Sequence, residues 1–346
     1  YKNPMMDYTP CFDAAAEKFH WNERWKGWTT PSRVEGSKSY GVGFSVHSSG
    51  DPQSDETFAY VRLENDQVMV HCVIAECGNG QRLGVAKVAA EVLNVPLERV
   101  TVVAADNGVN PADFGLAGSR GTITAGAAVG RAAQAAKEKL FEEASHIMHC
   151  SPEELDTKDL MVFKKDDPSV SIPWIQICPL YYSITGTGMI EGDFNHNNCV
   201  LNFVEVEVDR DTGLVKLTDL LSASDVGQVV NPIELKMQFE GGLGSAGMDT
   251  AQLEGHVLDP RIGRIMTHNM IDYKWRPFNE LPTFNTVTLE TPFDTGHPFH
   301  AIGIGEITGA AGPAAILMAV ENALGGIEIN EYPVTPDVIL KALGKA

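Results

Sequence analysis

A chain of 346 residues that is 43% apolar and 21% charged can bury a substantial core, and its length suits one large domain or two ordinary ones. Its formal charge of -20 excludes a sequence-independent nucleic-acid binder, because affinity for a phosphate backbone rests on clustered Lys and Arg. Apolar runs such as AAILMAV fall far short of the roughly 20 residues that span a bilayer, so no membrane span is predicted.

In chain order, strands are predicted at Tyr40 to Val46 (YGVGFSV), Thr57 to Leu63, Gln67 to Ile74 and Arg99 to Ala104. Helices are predicted at about 81 to 94, stopped before Pro96, and at 122 to 145, an Ala-rich stretch. Residues 151 to 180 are acidic and then Pro-containing, which suggests a joint between a first lobe, 1–180, and a second, 181–346. A hairpin follows, in which NFVEVEVD alternates apolar and acidic residues, DTG turns, and LVKLTDLLSASD returns. The next helix, 232 to 240, opens on NPIE, with Asn231 as N-cap, Pro232 at its first position and Glu234 as a capping-box carboxylate. A last helix, 313 to 324, lies between Gly312-Pro313 and Gly325-Gly326. The pattern is α+β, with mixed sheets and packed helices.

Three glycine-rich turns and one isolated carboxylate are the candidate sites. In ECGNG the chain turns at Gly78, Asn79 and Gly80 straight into a helix, a geometry that offers free N–H groups to an anion. GLAGSRGTITAG places Gly118, Ser119, Arg120, Gly121 and Thr122 just before the Ala-rich helix, and QFEGG carries Gln238. Taken singly, the first is also an ordinary tight turn and the last ordinary close helix packing. Neither a P-loop nor a credible GxGxxG fingerprint is present, so a nucleotide-binding Rossmann domain is not expected. Glu306, in GIGEITGAAG, is a lone charge between an apolar piece and small residues, and a cap near a helix start is its alternative reading. Together these features suit a long polar cofactor held mainly by backbone. The cysteines Cys11, Cys72, Cys77, Cys150, Cys178 and Cys199 show no CxxC spacing, which predicts reduced structural thiols in a cytoplasmic protein and no iron-sulfur cluster on this chain. The opening YKNPMMDYTP reads as no secretory signal.

The order of these blocks resembles the C-terminal half of the molybdopterin-binding region of the xanthine oxidase family of molybdenum hydroxylases. ECGNG resembles the family's E-M-G-Q-G loop, with Cys77 for Met and Asn79 for Gln. GSRGTITAGAAV resembles its Ser-rich loop and helix, and SDVGQVVNPIELKMQFEGG its D-x-G-x-x-x-N-P segment with Q-x-x-G-G. GIGEITGAA resembles G-x-G-E-P-P, with Ile307-Thr308 in place of Pro-Pro.

The resemblance implies a molybdenum-pterin cofactor, in the cytosine dinucleotide form usual in bacterial members, touching the three turns, Gln238 and Gly305. It implies Glu306 as the base that takes a proton from the metal's hydroxide as an electron-poor carbon is hydroxylated, with water as the oxygen source. It sets Phe44 and Ser45 against substrate, leaves His297 and His300 as side chains near Glu306 in sequence, and gives this chain no metal ligand. The family's other molybdenum half, clusters and flavin domain are not in these residues. That implies the medium molybdopterin subunit of a split bacterial enzyme such as nicotinate dehydrogenase, partnered by a large molybdopterin subunit, an iron-sulfur subunit and an FAD subunit, with a proteolytic fragment as the alternative. The alternatives are the same cofactor used for reductive dehydroxylation of an aromatic thioester or for ring hydration, or a noncatalytic half that supports a metal-holding partner.

Overall fold

The computed structural model describes residues 7–49, 56–104, 106–110, 113, 115–179, 182–191, 198–293 and 295–345. Its centre is the hairpin, Asn198–Asp209 against Val215–Asp225, whose buried positions carry the apolar residues of the alternating pattern while Glu205, Glu207 and Asp209 are only part-buried. Lys38–Ser49 pairs antiparallel with the free edge of Asn198–Asp209, and Arg33–Glu35 extends that side. Thr283–Leu289 pairs parallel with Val215–Asp225 and completes a five-stranded sheet.

A second sheet has the order Val100–Ala104, Gln67–Cys72, Thr57–Glu64, Ile184–Ile190. Thr57–Glu64 alternates buried and part-buried side chains along its whole length, the mark of a strand with one face on the core. Three short strands, Leu155–Lys158, Met161–Lys164 and Ser171–Pro173, form a third sheet.

This pairing corrects the division at residue 180. Lys38–Ser49, from the first part, lies in the sheet of the late hairpin, while Ile184–Ile190, from the second part, edges the sheet of the early strands. Each of the two larger sheets is therefore built from both sides of the expected joint.

Both sheets receive a helix in the same manner. Gly126–Met148 lies on Ile184–Ile190, where a Cβ on Gly186 or Gly188 would stand 2.1 Å from the carbonyl oxygen of Ala132 or 2.0 Å from that of Ala128. Gly312–Ala323 lies on Lys38–Ser49, where a Cβ on Gly41 or Gly43 would stand 2.2 Å from the Ala319 oxygen or 2.0 Å from the Ala315 oxygen. Helix backbone rests on strand backbone, at a separation no side chain permits.

Two of the glycine-rich segments form π-helical turns. Gly121–Ala125 leads into Gly126–Met148, and Gly242–Gly247 follows the helix Pro232–Gly241. The helix Gln81–Leu93 lies close to its predicted bounds. A helix not foreseen, Thr9–Lys18, buries Cys11 and Ala15 and packs with Phe19, Phe203 and Leu221 on the outer face of the hairpin sheet.

Candidate functional site

A cavity of about 620 Å³ opens where the glycine-rich turns, the start of Pro232–Gly241 and the Glu306 loop converge. Gly78, Asn79, Gly80, Ser119, Thr122, Gln238, Gly305 and Glu306 all line it, so the structure brings most of the sequence-predicted set together. Gly118, Arg120 and Gly121 do not line it, although Gly118 reaches it through a hydrogen bond.

Glu306 precedes a single helical turn, Ile307–Ala310, and is exposed. Its Oε2 accepts the N–H of Gly118 at 3.0 Å, and its own N–H donates to Ser119 Oγ at 2.9 Å. A Cβ on Gly303 would stand 2.0 Å from the Ser119 oxygen, so the two loops touch through backbone as well. The loop is further pinned by Gln238, whose Nε2 donates to the Gly305 oxygen at 2.8 Å and to Thr308 Oγ1 at 3.2 Å. The Thr308 hydroxyl donates to the Gly305 oxygen at 2.8 Å, and Ile307 is buried with Val200, Val226, Phe239 and Ile304. The Ile307-Thr308 pair thus holds the loop with one hydroxyl and one apolar side chain, and the amide nitrogen of Gln238 is committed to that loop.

Three expectations are revised. The N–H groups at the start of Gln81–Leu93 are not free: Glu76 Oε1 accepts those of Gly78 and Gly80 at 2.9 and 3.0 Å, and its Oε2 accepts that of Arg82 at 3.2 Å. Burial raises the Glu76 carboxyl pKa, but the N–H donors of Arg82, Gly78, Gly80 and Asn79 outweigh it and hold the pKa below the ordinary value. Arg120 is not a donor toward the cavity. It is fully buried and clamps the chain instead, with Nη1 on Asp113 Oδ1 at 3.2 Å and on the Gly115 oxygen at 2.9 Å, and Nη2 on Thr57 Oγ1 at 2.5 Å. Phe44 and Ser45 do not line the cavity. Alternation along Lys38–Ser49 turns Gly41, Gly43 and Ser45 toward Gly312–Ala323, so Phe44 faces the other way, into ring contact with Phe12, Trp21 and Phe203. Ser45 Oγ donates to the Ala311 oxygen at 2.7 Å.

Four cavity residues had been missed or misread. Asn231 and Glu234 make no cap: Asn231 Oδ1 accepts from Lys87 Nζ at 3.0 Å, and its Nδ2 and the Glu234 Oε2 are buried without partners. Gln81 Oε1, Asn79 Oδ1 and His297 Nε2 are likewise buried without partners. All five residues line the cavity. Three of the side chains pass over a glycine to reach it: a Cβ on Gly80 would meet Glu234 Cγ at 2.2 Å, one on Gly121 would meet Gln81 Oε1 at 2.2 Å, and one on Gly126 would meet His297 Nε2 at 2.4 Å. These glycines admit protein side chains, a role that sequence spacing alone had assigned to a ligand. His300 points elsewhere, its Nδ1 lying 2.7 Å from the Phe293 oxygen.

Residues 14–282 match the family model for the molybdopterin cofactor-binding domain. This chain belongs to that family, within the xanthine oxidase group of molybdenum hydroxylases. The aldehyde oxidoreductase molybdenum-binding subunit PaoC of Escherichia coli O157:H7 is 28% identical over 345 residues, which cover 96% of this chain and 44% of that protein. The nicotine 6-hydroxylase large subunit of Paenarthrobacter nicotinovorans is 27% identical, with 98% of this chain and 42% of that protein covered. The chain thus spans less than half the length of these relatives. Quinoline 2-oxidoreductase from Pseudomonas putida 86 has the same fold, with a TM-score of 0.83 at 24% identity over 98% of this chain and 46% of its own. The Cu,Mo-CO dehydrogenase aligns with a TM-score of 0.80 and 22% identity over 98% of this chain.

The residues that line the cavity fit a molybdopterin group. Partnerless donors and acceptors, buried at a glycine-lined cavity, suit a polar occupant. Among the described residues no Lys or Arg lines the cavity, so there an occupant's negative charge would meet neutral donors and N–H groups rather than cationic side chains.

Proposed function

We infer that this chain is the medium molybdopterin subunit of a split, multi-subunit molybdenum hydroxylase, with Glu306 as the general base. The observation that carries the assignment is the placement of Glu306: it lies on the cavity wall, fixed at one oxygen by Gly118 and at its own N–H by Ser119. Oε2 is engaged and Oε1 is left to take a proton, in an orientation set before substrate arrives. When bound, the molybdenum-pterin cofactor, in its cytosine dinucleotide form, supplies the two-electron oxidation and a water-derived oxygen.

The chain's own residues then have distinct tasks. Gln238 and Thr308 hold Gly305 and so set where the carboxylate stands. Asn79, Gln81, Asn231 and Glu234 offer polar edges to the pterin. The substrate is an electron-poor N-heteroaromatic ring or an aldehyde, the class suggested by relatives whose names specify aldehydes, nicotine and quinoline. The electrons leave through iron-sulfur and flavin partners. Water-facing Ile262, Met270, Ile271 and Phe278, in the run after the Pro232–Gly241 helix, suit coverage by the large molybdopterin subunit.

The deciding experiment is Glu306→Gln in the assembled enzyme, with metal and pterin content measured beside turnover. A fall of roughly 100-fold or more at unchanged cofactor content is expected; near-normal turnover with full cofactor overturns the base assignment. Product formation must also require an electron acceptor. Equal product without one would replace hydroxylation by hydration.

A further inference from the structure

We propose that His297 is a neutral hydrogen-bond donor to the cofactor, holding one of its acceptor atoms through Nε2. The proposal rests on the reading above that the cavity takes a molybdenum-pterin group.

Three independent features of the ring point to this role. First, Nδ1 accepts the N–H of Phe299 at 3.1 Å, and an acceptor nitrogen carries no proton, so in the neutral ring the proton sits on Nε2. Second, the residue is 2% exposed and its Nε2 has no partner, although buried N–H groups are almost always paired. Third, the ring lines the cavity and is admitted there by Gly126, at the head of the long helix, where a Cβ would stand 2.4 Å from Nε2. The ring therefore has a fixed tautomer, a fixed direction and a glycine that gives it passage.

The charge state agrees with the geometry. Burial, with His300 nearby, lowers the imidazole pKa to about 4, so the ring stays uncharged at neutral pH. His300, exposed, is the titratable group beside it, and Glu234 and Glu306 line the same cavity. A neutral N–H suits an acceptor such as a pterin carbonyl, a ring nitrogen or a phosphate oxygen, and it adds a donor to a wall in which no described residue is Lys or Arg.

The test uses the assembled enzyme purified with its partner chains, in wild-type, His297→Phe, His297→Met and His297→Gln forms. Pterin content, measured as its fluorescent oxidation product, molybdenum per chain and the rate of pterin loss on dilution are compared. Melting of the same complexes from a host that makes no pterin reports folding. The Phe or Met form that melts like wild type is the informative one. It is expected to lose pterin at least fivefold faster, while Gln, which restores an N–H donor, recovers most of the retention. Wild-type retention in a well-folded Phe or Met form overturns the donor role while leaving the functional reading intact. Wild-type enzyme that carries no pterin overturns both.

Discussion

The His297 ring makes a pH-dependent contribution to stability that can be measured separately from catalysis. Its folded pKa, about 4, lies below the ordinary 6.5, so the unfolded chain binds the proton more readily. The contribution is complete above about pH 6.5 and is lost as pH falls toward 4. Between about pH 7 and 5 wild type should lose roughly 2 kcal/mol more stability than His297→Phe; parallel denaturation curves for the two would remove the argument. Glu76 has the same sign for a different reason, since its carboxylate is favoured by backbone donors. Glu76→Ala releases the donors of Gly78, Gly80 and Arg82, and a loss of about 1 kcal/mol at neutral pH is expected in urea titration. At this scale the sequence was readable in the glycine-rich turns and the GIGE loop, whose Asn79, Ser119, Gln238 and Glu306 do line one cavity. It was unreadable where a side chain crosses to another segment. Glu234 has capping-box spacing, yet the fold turns it over Gly80 into the cavity; nothing in NPIE signals that.

Among elements, periodicity revealed the hairpin, Thr57–Glu64 and the Gly312–Ala323 helix, because each has one apolar face and clear ends. Ile184–Ile190 stayed hidden: ITGTGMI has glycines at alternate positions, which locally read as a break. Those glycines make sense only against Gly126–Met148, a partner more than thirty residues earlier in the chain. Thr283–Leu289 was hidden for a related reason, since its pairing with Val215–Asp225 is parallel and needs a long excursion. The helix contacts yield a direct prediction. Gly43→Ala and Gly188→Ala force helix from strand and should each cost about 1–3 kcal/mol. Gly84→Ala, in the open face of Gln81–Leu93 with nothing near its Cβ, should instead gain about 0.5–1 kcal/mol. Equal effects at the buried and open positions in chemical denaturation would contradict the packing described.

Across the whole molecule, the exchange of Lys38–Ser49 and Ile184–Ile190 between the two sheets ties the parts into one folding unit. Residues 1–180 and 181–346 expressed separately should each lack cooperative unfolding, because each fragment leaves one sheet without a strand. A sharp melting transition in either fragment alone would show the coupling to be weak. The sequence suggested a joint at 151–180 from composition, but strand exchange is a property of pairing, and composition carries no record of which edge a strand joins. The seating of the two helices has a further consequence for how such a chain can change over time. The loops bearing Ser119 and Glu306 run into helices that rest on main-chain atoms, and main-chain atoms are common to all amino acids. The height of those helices above their sheets is therefore set by the glycines beneath them rather than by the residues the loops display. Loop substitutions such as Ile307-Thr308 for two prolines can then accumulate while the seats of the two helices are inherited.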